Sequence, residues 1–316
     1  MSRIFEALQR SETERADFGF PEPPSVTADL LKESGQQTVQ FADCPTIRVT
    51  VAPDSRLVSL VEKEGLGAEK FRFLGVRLRQ MQQSRPLKKL LITSTLSEEG
   101  KSMVSANLAA TLARRKQQRV LLLEGDLRRP VQSTLFGAGR LAGLSEWLQS
   151  GNQAAGNIYF LEGPGFWLMP AGKPPENPLE LMQSGKLTEL LEQVAPWFDW
   201  VLIDSPPILP LADTSVWDRC ADGVLLVVRE GRTEKRQLER GLAALAPSRL
   251  LGVVVNNCTN SDHEDYYSRY NPGAVEGVEP PKNGQPENKS QQQPKEQKPK
   301  QRKPEQQKPE QQKQNP

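Results

Sequence analysis

From about position 69 onward, short apolar runs alternate with longer segments of helical pattern. KLLIT, RVLLLEGD, DWVLIDSPP, GVLLVVRE and LLGVVVNN each centre on consecutive Val, Ile and Leu residues. EKFRFLGVRLRQMQQ precedes the first run, and SMVSANLAATLARRK, KLTELLEQVA and TEKRQLERGLAAL fall among the rest. Unbroken apolar runs separated by amphipathic helices predict a parallel sheet covered on both faces. The expected fold is α/β, a doubly wound and mainly parallel sheet over residues 69–260. Ligands on such a sheet bind at the C-terminal ends of the strands.

The flanks read differently. From Pro272 the chain is Pro, Gln, Lys and Glu, ending in KPEQQKPEQQKQ. So little apolar surface cannot offset the entropy of ordering, and residues 272–316 are expected to be a disordered tail. Residues 1–68 read as an N-terminal helix and linker, Pro-rich and weakly patterned from Ser11 to Pro53. MSRIFEALQR places Ile4, Phe5, Ala7 and Leu8 on one helical face, as a docking helix or as a helix end packing on its own domain.

Composition narrows the function classes. Lys and Arg number 41 against 39 acidic residues, which gives no general electrostatic case for nucleic acid or an anionic membrane. Cys44, Cys220 and Cys258 are scattered without metal-ligand or disulfide spacing, and a single histidine excludes a His-rich metal site. No apolar run approaches the roughly 18 to 20 residues a bilayer span requires. The expectation is a cytoplasmic chain with no direct membrane span; if it works at a membrane, at the inner face of the plasma membrane, another protein must take it there.

The chemistry concentrates in TSTLSEEGKSMVSANLA, Thr93 to Ala109. A strand, a loop and a helix start around GKS form a phosphate-binding arrangement, with loop amides, the helix N-terminus and Lys101 facing the phosphates. Ser102 is placed to ligate Mg²⁺. Thr95 stands where such loops usually carry Gly, and Glu98 and Glu99 lie beside the triphosphate path. Only backbone amides need face the phosphates, so both glutamates are expected to point outward. Glu124 and Asp126 close one buried run, on the same side if the strand persists, and Asp204 closes another. Carboxylates straight after such runs are costly to bury without a cation, which Mg²⁺ on a nucleotide would supply. One of these acids could also serve as a general base.

ITSTLSEEGKSMVSANLA, VLLLEGDLRRP, AGKPPENPLELM and WVLIDSPPILPLADT together resemble the bacterial tyrosine kinases of the polysaccharide co-polymerase system. These are P-loop proteins whose three nucleotide motifs are called Walker A, A′ and B. The resemblance spans about Glu69 to Tyr270 and implies ATP and Mg²⁺ as cofactors. It matches Lys101 and Ser102 to Walker A, Glu124 and Asp126 to A′, and Asp204 to Walker B. Lys101, Glu124, Asp126 and Asp204 are thereby the catalytic candidates, and Ser102, Asp126 and Asp204 the metal ligands. Glu98, Glu99, Gly100, Lys101, Ser102 and Met103 would line the nucleotide, and Asn256 either reads the adenine or is an ordinary loop asparagine.

In the family the first A′ acid is usually Asp and is implicated in activating the tyrosine hydroxyl. Glu124 is one methylene longer, and a misplacement of about an ångström can cost on the order of 100-fold in rate. Three of the four tyrosines, Tyr266, Tyr267 and Tyr270, fall in EDYYSRYN, matching a C-terminal cluster that the family phosphorylates between subunits. The same residues would also suit a short aromatic anchor. EKFRFLG partly matches an E-x-x-R-x-x-R motif used in ring assembly, with Glu69 and Arg72 in place and Gly75 at the second arginine. A homo-oligomer and a transmembrane activator on a separate chain are implied. The expected function is an ATP-dependent protein-tyrosine autokinase regulating exopolysaccharide or capsule synthesis and export. The alternatives are a ParA/MinD-like ATPase switch and a nucleotide-binding scaffold without phosphotransfer.

Overall fold

A computed structural model describes residues 43–115, 118–151, 154–210 and 213–258. The expected N-terminal helix, most of the linker, the tyrosine cluster and the tail lie outside these residues. The strands in chain order are β1 (Thr46–Arg48), β2 (Lys89–Ser94), β3 (Val120–Glu124), β4 (Tyr159–Glu162), β5 (Phe166–Met169), β6 (Trp200–Asp204), β7 (Gly223–Arg229) and β8 (Leu250–Asn256). The helices are α1 (Val58–Val61), α2 (Leu66–Ser84), α3 (Lys101–Ala113), α4 (Gln132–Leu135), α5 (Leu144–Ser150), α6 (Pro178–Gln183), α7 (Lys186–Val194), α8 (Asp213–Cys220) and α9 (Lys235–Ala243).

One sheet holds all eight strands in the order β1-β4-β5-β3-β6-β2-β7-β8. Every pairing is parallel except β4 with β5. Those two strands form a hairpin across Gly163, Pro164 and Gly165. Their pairing to β1 on one side and β3 on the other widens the sheet beyond its predicted five strands.

Alternating side chains divide the core between the two faces of the sheet. Leu90, Ile92, Leu122 and Leu202 pack with Leu78, Val104 and Leu108 of α2 and α3. Leu91, Leu121, Leu123 and Ile203 pack on the other face with Trp147, Leu190, Val194 and Trp217. Helix α3 is buried along nearly its whole length, from Val104 to Leu112. Ala106, Ala109 and Ala110 let strands and helices approach it from several sides, which explains its weak amphipathicity.

The fold begins before position 69. β1 pairs in register with β4, Leu57 is fully buried, and α1 is fastened to α3. The Ser59 amide donates to Asn107 Oδ1 at 2.9 Å, and the Ser59 and Thr111 hydroxyls meet at 3.0 Å. The C-terminal part of the predicted linker is therefore structured. Gly75 is buried against α3: a Cβ there would lie at ordinary contact, 3.4 Å from Thr111 and 3.6 Å from Leu112. An arginine would have to leave through the α2–α3 contact, whereas Glu69 and Arg72 form an exposed ion pair at 2.8 Å.

Candidate nucleotide and phosphotransfer site

The loop after β2 enters α3 through Gly100, whose φ of +93° suits a residue without a Cβ. A Cβ at Gly100 would also fall 2.1 Å from Asn256 Nδ2. Lys101 thus opens the helix, and its side chain turns toward the C-terminal ends of β3 and β6. Lys101 Nζ stands 3.0 Å from Asp126, 4.0 Å from Asp204 and 3.2 Å from the Ser102 hydroxyl. Burial works against this ammonium, but the carboxylates of Asp204, Asp126 and Glu124 outweigh it and raise its pKa.

The loop's glutamates do not both point outward. Glu98 is exposed and pairs with Arg232 at 2.9 Å, but it adopts a φ of +66°. Glu99 turns inward and is fully buried. Its Oε2 accepts from the Leu96 amide at 2.7 Å, and its Oε1 accepts from the Thr233 hydroxyl. Its backbone carbonyl accepts from Asn256 Nδ2 at 2.9 Å. Burying a carboxylate is tolerable here because donors meet both oxygens. This second residue before the lysine packs away from the phosphate side of the loop.

β3 stops at Glu124, so the two A′ acids do not project alike. The Gly125 amide donates to the Asp204 carbonyl at 2.8 Å, and Trp217 covers Gly125 so closely that a Cβ would sit 2.6 Å from its ring. Asp126 then returns toward Lys101, and its Oδ1 accepts from the Arg129 amide at 3.1 Å. Glu124, in register with Asp204 on the neighbouring strand, is held by backbone amides. Its Oε1 accepts from the amides of Val131 and Gln132 at 2.5 and 2.7 Å, and its Oε2 from Ala171 at 2.9 Å. Burial pushes this carboxyl upward against the pull of those donors, with a net shift above the ordinary range. The carboxylate that resemblance makes a base is thus engaged as a tie between two loops.

Asp204 is fully buried, and burial raises its pKa despite the nearby Lys101. Its Oδ2 accepts from Gln132 Nε2 at 2.8 Å, while its Oδ1 accepts no hydrogen bond and has the Lys101 ammonium 4.0 Å away. A buried carboxylate oxygen without a donor is costly, and a cation would meet it. Among the described residues there is no cluster of three acidic, His or Cys side chains for an all-protein metal cage. Two carboxylates and the Ser102 hydroxyl instead fit Mg²⁺, which retains waters and substrate oxygens in its shell. Gln132 was missed by sequence reasoning. It ties Asp204 to the Ser102 carbonyl at 3.0 Å, and an isolated glutamine at a loop end offers no pattern to find.

On the α2 side of the loop lies a cavity of about 460 Å³. Glu98, Gly100, Met103 and Asn256 line it, together with Phe71 and Leu74. Four of the predicted nucleotide-contact residues therefore share one half-apolar cleft, of a size suited to a small ligand. Lys101, Ser102, Asp126 and Asp204 meet beside it, while Glu99 is tied to the Leu96 amide and Glu124 to the Gln132 amide. Tyr266, Tyr267 and Tyr270 are outside the described residues.

A glycine-capped phosphate loop at the middle of a parallel sheet, with strand-end carboxylates on its flank, defines a P-loop nucleotide-binding protein. Residues 90–272 match the model of the CobQ/CobB/MinD/ParA nucleotide binding domain. The chain is 32% identical over 212 residues to the tyrosine-protein kinase YwqD of Bacillus subtilis, covering 66% of this chain and 89% of that one. It is 30% identical to the putative tyrosine-protein kinase CapB of Staphylococcus aureus, covering 64% and 90%. The kinase domain of the Escherichia coli tyrosine kinase ETK superposes with a TM-score of 0.60 at 28% identity, covering 65% and 82%. This chain belongs to the bacterial tyrosine-kinase family, within that wider nucleotide-binding class.

Proposed function

We propose that the chain is an ATP- and Mg²⁺-dependent protein-tyrosine autokinase that regulates exopolysaccharide or capsule synthesis and export. The observation that carries this is the meeting of Lys101, Ser102, Asp126 and Asp204, with one Asp204 oxygen left for a cation, in a chain whose relatives are named tyrosine kinases. Enzymes of phosphoryl transfer act mainly by positioning and by neutralising charge on the transferred group. Lys101 supplies a fixed positive charge at the phosphates, and Ser102, Asp126 and Asp204 are the ligands for Mg²⁺. A bound Mg²⁺ would neutralise charge on the phosphate oxygens. Gln132 holds Asp204 in orientation through Oδ2. Glu124 fixes the loop that carries Asp126, which is the role its donors support.

The acceptors are Tyr266, Tyr267 and Tyr270. Tyr159, the remaining tyrosine, sits in β4 with its ring half-buried and its phenol pKa raised by that burial, which argues against it as an acceptor. A separate transmembrane activator at the inner face of the plasma membrane, and self-association of the kinase, complete the proposed working state. No helix among the described residues is long and apolar enough to cross a membrane. The test is incubation of purified protein with Mg-ATP, with and without a candidate activator's cytosolic segment, and mapping of phosphotyrosine by mass spectrometry. Label on the three clustered tyrosines, absent in Lys101→Met and in the triple Phe variant, is the expected result. Label persisting in Lys101→Met would overturn the site.

A further inference from the structure

The phosphate loop is held from behind. Glu98 occupies the left-handed region at φ +66°, a conformation that non-glycine residues keep only when their surroundings impose it. Those surroundings are the turn between β7 and α9, and the end of β8. Arg232 pairs with Glu98 at 2.9 Å, and the Thr233 hydroxyl donates to the buried Glu99 carboxylate. Asn256 of β8 donates to the Glu99 carbonyl. Thr233 is itself fixed, because its hydroxyl accepts from the Arg229 amide at 3.1 Å. The opposite oxygen of Glu99 accepts from the Leu96 amide at 2.7 Å, inside the loop. A line of hydrogen bonds thus runs from the β7–α9 turn through one carboxylate to the loop backbone that precedes Gly100 and Lys101.

We infer that Thr233 is a positioning residue for nucleotide binding, acting through Glu99 to set the phosphate loop. This rests on the proposal that the loop binds nucleotide, but not on the transfer of phosphate to tyrosine. The exposed Arg232–Glu98 pair contributes little by comparison, since solvent screens it. The buried Glu99 carboxylate cannot lose its Thr233 donor without leaving an oxygen unmet, so the loop must move to satisfy it. Such a movement displaces the amides and the lysine that receive the phosphates. The same dependence makes the β7–α9 turn a route by which contacts on α9 would alter nucleotide affinity.

The test uses the full chain and a fluorescent ADP with Mg²⁺, titrated at equilibrium, beside a thermal melt of each variant. Thr233→Val removes the hydroxyl at nearly constant volume and is expected to weaken binding by about tenfold or more. Thr233→Ser restores the hydroxyl and is expected to bind within about twofold of the parent. Glu99→Gln combined with Thr233→Val is expected to bind no more weakly than the worse single variant, as two parts of one path should. If Thr233→Val only lowered the melting temperature and left the affinity of folded protein unchanged, the inference would be overturned. It would also be overturned if Thr233→Ser bound as weakly as Thr233→Val. Binding is read without phosphotransfer, so a parent that binds nucleotide but labels no tyrosine would refute the kinase proposal and leave this comparison in force.

Discussion

Changing Glu124 to Gln keeps the side chain's length and removes its charge, which separates a tie between loops from a proton acceptor. In the structure Oε1 receives two backbone amides and Oε2 receives one. A glutamine has a single acceptor oxygen. In its better orientation that oxygen keeps Val131 and Gln132, and its amide group then confronts the Ala171 amide. One buried donor is orphaned, at a cost of about 1–3 kcal/mol. The two retained bonds also weaken, since bonds to a neutral acceptor are about half as strong as those to a charged one. Relief of the charge's own burial, which pushes the Glu124 carboxyl upward, offsets part of this loss. The net expectation is a destabilisation of about 2 kcal/mol, or about 4–8 °C in melting temperature for a domain of this size. Melts followed by circular dichroism without nucleotide would read it. Phosphotyrosine formation per folded molecule should fall only severalfold, through displacement of Asp126. If Glu124 is instead the general base, its loss should cost about 10²–10⁴ in rate. An unchanged melt with phosphotransfer abolished would refute the reasoning.

The remaining predictions concern the neighbouring loop and the cation. Gly125→Ala places a Cβ 2.6 Å from the Trp217 ring, and overpacking of this kind costs about 1–3 kcal/mol. A melt indistinguishable from the parent would contradict that contact. Burial raises the Asp204 pKa, and a protonated carboxyl does not ligate a metal. The Mg²⁺ contribution to ADP affinity should therefore grow as pH rises through the raised Asp204 value and fade as pH drops below it. Calorimetry in buffers of different ionisation heat, run down a pH series, should detect more proton release on binding as pH falls through that raised value. Equal release and equal affinity across the series would contradict it.

The five long apolar runs became β2, β3, β6, β7 and β8, because strands buried on both faces announce themselves by composition alone. β1, β4 and β5 are three or four residues long, too short to stand out as strands, and the hairpin was not predicted. GKS and the strand-end acids pointed to the place where Lys101, Ser102, Asp126 and Asp204 meet, since those residue types follow from the chemistry of phosphate and Mg²⁺. The direction in which each acid faces was not legible. Glu99 and Glu124 are anchored by amides and a hydroxyl from residues up to 134 positions away, and no local pattern encodes such pairing. Glu124, expected from the resemblance to be a catalytic group, accepts the amides of Val131, Gln132 and Ala171 together.

The central claim is tested most directly by mapping phosphotyrosine on the purified full chain after incubation with Mg-ATP, in parent and Lys101→Met. Phosphate is expected on Tyr266, Tyr267 or Tyr270 in the parent and on none of them in the variant. Nucleotide bound or hydrolysed with no phosphotyrosine, alone or with an activator's cytosolic segment, would contradict it.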